Sequence, residues 1–166
     1  MTSTETEPTE LPRWSVADIH ESLESRSFNE AMERLGAETT RLVALFDEHD
    51  IRAVEPRPVT LDDGRSADAV IDAYNHLGDE LQELGATVYA TVTTDSRDEL
   101  AQSLASRLDT QEATIAPLLA RLADWVHALG VDELAAVSER VAEHRGPLSR
   151  LDERAAHQMN ESDAVS

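Results

Sequence analysis

The sequence predicts an all-α protein, an elongated antiparallel bundle of four to five helices. Three observations carry this. Hydrophobic residues make up 40% of the chain but aromatics only 4%, so the core is built mainly from Leu, Val and Ala. These side chains suit helices, whereas sheets favour β-branched and aromatic ones. Apolar positions recur three and four residues apart, the spacing that lays one stripe along a helix. Helix-start and helix-stop residues punctuate those stripes.

Residues 1–12 are Thr, Glu and Pro with a single Leu, too little apolar surface to order themselves, and read as a disordered acidic tail. Trp14-Ser15-Val16-Ala17-Asp18-Ile19 supplies the first apolar anchors, a short docking turn or helix that opens a bundle domain over 13–158. Ser27-Phe28-Asn29-Glu30 fits a capping box. The stripe Phe28, Met32, Leu35, Thr39, Leu42, Phe46 then predicts a helix over 28–49. Pro56, Pro58 and Asp62-Asp63-Gly64 predict a loop over 52–65.

A second long helix is expected from Ser66 to Thr93 on Val70, Tyr74, Leu77, Leu81, Leu84 and Val88. Gly78 and Gly85 fall on nearly one face of it and imply either a closely approaching helix or simple tolerance. The run Thr87 to Thr93 is β-branched, but the upstream stripe keeps it helical. Ser96-Arg97-Asp98-Glu99 reads as a second capping box. A third helix follows with Leu100, Leu104, Leu108, Gln111, Ile115, Leu118, Leu122, Trp125 and Leu129 on one side. Pro117 should kink it and Gly130 should stop it. A fourth helix takes Leu134, Val137 and Val141 and ends at Gly146-Pro147. A short one over 148–158 precedes a frayed tail at 159–166. Short connections make neighbours antiparallel.

The charge is lopsided: 34 acidic against 14 basic residues, net −20, with every basic residue an Arg. Such a surface repels phosphate backbones and anionic headgroups, which argues against nucleic acid or membranes as partners. An acidic, Lys-free surface also fits a salt-adapted or high-GC organism. Cysteine is absent, which excludes disulfides, thiolate catalysis and Cys-ligated zinc. No apolar run reaches the roughly 18 residues of a membrane span, and Met1-Thr2-Ser3-Thr4-Glu5 lacks signal-peptide character. A cytoplasmic location is expected.

The chemistry-bearing clusters are incomplete. His20-Glu21-Ser22-Leu23-Glu24 begins like a zinc-binding His-Glu-x-x-His helix but has Glu24 where the second His belongs. Asp72, His76, Asp79 and Glu80 can share a helical face, yet the paired Glu-x-x-His pattern of di-metal bundles is missing. Asp47-Glu48-His49-Asp50 sits at a helix C-terminus, against the helix dipole, with His49 supplying part of the favourable charge. Asp62-Asp63-Gly64 lacks the ligand alternation of a calcium loop. His127, His144 and His157 have no partnered spacing. No catalytic, cofactor-binding or metal residues are therefore assigned.

The order of elements nevertheless resembles a known region. A Trp-led start (Trp14 to Ile19) precedes a long helix closing on Leu45-Phe46-Asp47-Glu48-His49-Asp50-Ile51. A second helix carries Leu77-Gly78-Asp79-Glu80-Leu81 and reaches Tyr89-Ala90-Thr91-Val92-Thr93-Thr94-Asp95, followed by a capped third helix. Over residues 13–158 this is similar to the N-terminal helical region of the oligoendopeptidase F family of zinc metallopeptidases. The resemblance implies a lid and channel wall that admit only short peptides. It places the zinc, on a His-Glu-x-x-His helix with a downstream Glu, in a catalytic half that these 166 residues do not contain. The implied partners are that half and peptides. The alternative is a free-standing interaction module that forms homodimers through its apolar stripes.

Overall fold

Three long helices set the framework, and each begins where a short polar side chain can turn back onto the backbone. The computed structural model describes residues 22–163, of which Ala155 and 157–163 are described by backbone alone. The tail expected at 1–12 and the turn expected around Trp14–Ile19 lie outside the described residues. Helices α1 (Arg26–Glu48), α2 (Leu61–Thr94) and α3 (Glu99–Leu129) pack on one another. Two short helices, α4 (Val131–Ala135) and α5 (Glu139–Glu143), lead into α6 (Arg145–Asp163), which lies along α3. The protein is all-α, its long helices antiparallel, with no strand among the described residues.

The caps differ from those expected. Ser25, not Ser27, caps α1, its hydroxyl accepting from the Phe28 amide at 3.2 Å. Asp98, not Ser96, caps α3, accepting from the Ala101 amide at 2.9 Å. The largest change is at α2, which starts at Leu61 rather than Ser66. Asp62-Asp63-Gly64, expected as a turn, forms its first helical turn. Thr60 and Asp63 make a reciprocal capping box, and two carboxylates at a helix N-terminus favour the dipole. Capping and dipole outweigh the turn propensity of Asp and Gly.

The end of α1 is a Schellman turn. Asp50 adopts φ 54°, the Ile51 amide donates to the Phe46 carbonyl at 2.9 Å, and Asp50 donates to Asp47 at 3.2 Å. Ile51 and Phe46 are both fully buried, the apolar contact that accompanies this motif. The run 87–93 is helical, and Thr87, Thr91 and Thr93 each donate to the carbonyl four residues back. Those bonds satisfy the hydroxyls without leaving the helix.

Beyond α3, two expectations fail. The single fourth helix is two, because Ser138 interrupts it and caps α5, its hydroxyl accepting from the Val141 amide at 3.0 Å. Gly146-Pro147 does not end a helix but lies in the first turn of α6, where a missing amide hydrogen leaves no helical bond unmade. Gly130 does stop α3, at φ 87°, and α3 continues as one helix through Pro117.

Most of the apolar stripes are core: Phe28, Leu35, Leu42, Phe46, Val70, Leu77, Val88, Leu108 and Leu134 are almost fully buried. Leu100 is the exception, 40% exposed, with Ala101 buried in its place. Gly64 is where two backbones approach closely. A Cβ there would fall inside the van der Waals envelope of the Val137 carbonyl, so glycine permits this contact between α2 and the 136–138 break.

Candidate functional site

The acidic and histidine clusters resolve into pairs rather than a centre. Asp72 binds the Arg140 guanidinium at 2.6 Å, and His76 lies 3.9 Å from Glu80. Asp79 faces solvent. Glu80 Oε2 is buried without a hydrogen-bond partner. Asp62 pairs with Arg65. His127 Nδ1 meets Asp152 at 2.5 Å and joins α3 to α6, a pairing of distant segments that spacing could not reveal. His144 bridges the Arg140 carbonyl at 3.0 Å and Asn75 at 3.3 Å. His20 and Glu21 lie outside the described residues, Glu24 is exposed, and the His157 side chain is outside the description. Among the described residues, no three His, Asp or Glu side chains converge as they would around a metal ion.

Asp47, at the helix end where His49 was expected to supply part of the favourable charge, is met from another helix. Arg121 of α3 donates to the Ile51 carbonyl at 2.8 Å and to Asp47 at 2.8 Å, and its guanidinium stands 5.6 Å from the centre of the Phe46 ring. It places a positive charge at the C-terminus of α1, which has no basic residue in its last turn. His49 instead bonds Ser66 at 3.0 Å.

The feature with the character of a docking surface is an apolar groove on α2. Ala73 and His76 of α2 line a cleft against α1. Gly78, Leu81, Gln82, Gly85 and Tyr89 lie on a different side and form a groove bordered by Glu112 of α3. This side is a second stripe, Gly64, Ala67, Ile71, Tyr74, Gly78, Leu81, Gly85, at three- and four-residue spacing. Its first half differs: Gly64 is covered by Val137, and Ile71 and Tyr74 line a small cavity together with Leu148 and Leu151 of α6.

Along the second half the glycines keep the surface low. No atom lies within 4 Å of a Cβ built at Gly78, and at Gly85 only the ring of Tyr89, from the same helix, does so. Neither glycine admits a neighbouring helix within the described residues; both are tolerated, and together they make the groove. Tyr89 is 40% exposed, and its hydroxyl donates to Asp109 at 2.8 Å. Accepting that bond, the Asp109 carboxylate holds the phenol above its ordinary pKa. The groove thus has an apolar floor, an aromatic end anchored by a carboxylate, and an acidic border. The spacing of Gly64, Gly78 and Gly85 was the sequence signal for it, visible once two stripes rather than one are traced along α2.

No helix among the described residues is long and apolar enough to cross a membrane. Comparison with protein families, curated proteins and solved structures finds no match for this chain.

Proposed function

We propose that this chain is the non-catalytic helical part of an oligoendopeptidase F-like zinc metallopeptidase, a lid and channel wall that restricts access to short peptides. The observation that supports this reading is the apolar groove of Gly78, Leu81, Gly85 and Tyr89 on α2, a face suited to a catalytic half. The sequence likeness over 13–158 supplies the family. In this reading zinc and the general base belong to the partner half, and the helices act by sterics: folded proteins are too wide to enter, and extended peptides reach the metal. The competing reading is a homodimer formed through the same groove.

The test joins the chain to a peptidase half that carries His-Glu-x-x-His, encoded downstream of it. The two should co-elute and hydrolyse fluorogenic short peptides, while this chain alone should not. Gly78→Leu fills the groove from a position with open space, so it should weaken co-elution and leave the fold intact. Co-elution unchanged by Gly78→Leu, or peptide hydrolysis by the chain alone, would overturn the proposal. Light scattering separates the homodimer, which would show twice the monomer mass without any partner.

A further inference from the structure

Helix α6 packs along α3, and among the described residues its backbone makes no close approach to that of α2. Side chains from both helices are left to close the gap over α3, and they close it incompletely. Ile71 and Tyr74 of α2, Leu119 and Leu122 of α3, and Leu148 and Leu151 of α6 line a cavity of about 130 Å³. Ile71, Leu122 and Leu148, at 5%, 3% and 4% exposure, are its buried part. Tyr74, Leu119 and Leu151 are half-buried and form the rim.

Size and lining together narrow what can enter. Drug-sized ligands occupy pockets of about 300 Å³ or more, whereas an apolar cavity of about 150 Å³ stays dry and takes up one ring the size of benzene. The polar neighbours decide the rest. His144 Nδ1 lies 3.0 Å from the Arg140 carbonyl, which can only accept, so Nδ1 carries the hydrogen. Nε2 then accepts from the Asn75 amide at 3.3 Å, and both ring nitrogens of His144 are taken. Tyr74 differs. Its hydroxyl makes no hydrogen bond to a described residue, and burial holds the phenol above its ordinary pKa. A neutral hydroxyl can donate to a guest or accept from it. A charged guest would lose its hydration here without gaining a counter-charge.

We propose that this cavity binds a small, uncharged, single-ring molecule bearing one hydroxyl or amino group. Its ring lies among Ile71, Leu122 and Leu148, and its polar group bonds the Tyr74 hydroxyl. The site occupies the stretch of α2 before the Gly78 groove, and the inference stands apart from the metallopeptidase reading.

Phenol and toluene are the probes, titrated into the full chain and followed by NMR and thermal melts. Phenol should shift the methyl signals of Ile71, Leu122 and Leu148 in a saturable way. It should also raise the melting temperature, since it binds only the folded state. Leu119→Phe puts a ring into the cavity from its rim and should weaken phenol about tenfold or more, with helicity by circular dichroism unchanged. Tyr74→Phe should weaken phenol about fivefold, the value of one hydrogen bond, and leave toluene unchanged. Shifts that never saturate, that map to the Gly78–Tyr89 groove, or that survive Leu119→Phe would overturn the proposal. Equal losses of phenol and toluene in Tyr74→Phe would overturn the role given to its hydroxyl. If Leu119→Phe fails to fold, Leu151→Ala carries the test: the wider cavity should favour 2-naphthol over phenol, and an unchanged preference would overturn the site.

Discussion

Arg57 grips Asp63 with both arms of its guanidinium, Nη1 and Nη2 each donating at 2.7 Å to a different carboxylate oxygen. Asp63 also accepts from the amide and hydroxyl of Thr60. One carboxylate therefore fixes the 49–60 connection and starts α2. The Arg57 guanidinium, with help from Thr60, holds the Asp63 carboxyl far below the usual carboxylate range.

Asp63→Asn should lower stability by about 1–2 kcal/mol, a capping loss together with a weakened ion pair. The pH dependence has a definite sign. The folded-state pKa is depressed, so the contribution is complete above the unfolded value of about 3.9 and is lost as pH falls below it. Urea melts from about pH 6 to about pH 2 should show the gap between the two proteins narrowing below about pH 4. A gap that stays constant across that range would contradict the assignment.

Gly64 and Gly78 should respond oppositely to alanine. At Gly64 the added methyl meets the Val137 backbone, and Gly64→Ala should cost about 1–3 kcal/mol as overpacking. At Gly78 there is open space, and Gly78→Ala should stabilise by up to about 1 kcal/mol through helix propensity. Thermal melts of the two variants decide this, and equal shifts in one direction would refute the close approach at Gly64.

Ser138 ties the α4–α5 break to α2. Its hydroxyl donates to Asp68 at 2.6 Å while accepting from Val141, and the side chain is 2% exposed. Ser138→Ala should cost about 1–2 kcal/mol, since the Val141 amide is left unpaired in a buried place. Hydrogen exchange should place the loss in α5; unchanged protection of the Val141 amide would count against it.

Salt should stabilise the protein. With a net charge of −20, like-charge repulsion falls as the screening length shortens to about 3 Å near 1 M salt. The melting temperature should rise from low salt to about 1 M with a chloride salt, and a fall would mean that ion pairs such as Arg57–Asp63 outweigh the repulsion.

The helices were legible because Leu and Val at three- and four-residue spacing have one way to hide from water. That was sufficient for Phe28 to Phe46, for Val70 to Val88 and for Leu104 to Leu129, which the bundle buries along the expected faces. Exact starts were not legible, because several residues near each boundary could cap. Ser25 over Ser27 is a choice between neighbours of equal chemistry. Thr60 over Ser66 turns on an arginine that precedes the cap. Leu100 was misread because Ala101, its neighbour in the first turn of α3, is the residue turned into the core.

The groove was half legible. Gly78 and Gly85 stood out as costly glycines on one face, but only the placement of Val137 over Gly64, and of Tyr89 and Glu112 beside Gly78 and Gly85, shows where that face is closed and where it forms a groove. The same holds for the charges. The sequence by itself determined an acidic all-α chain and the apolar faces of its long helices, because burial of periodic side chains is a local property of the chain. Only the tertiary structure decided that Arg121 answers Asp47, that His127 meets Asp152 and that Arg140 holds Asp72. Those pairs join residues far apart in the chain, and it is packing that brings them within a few ångströms.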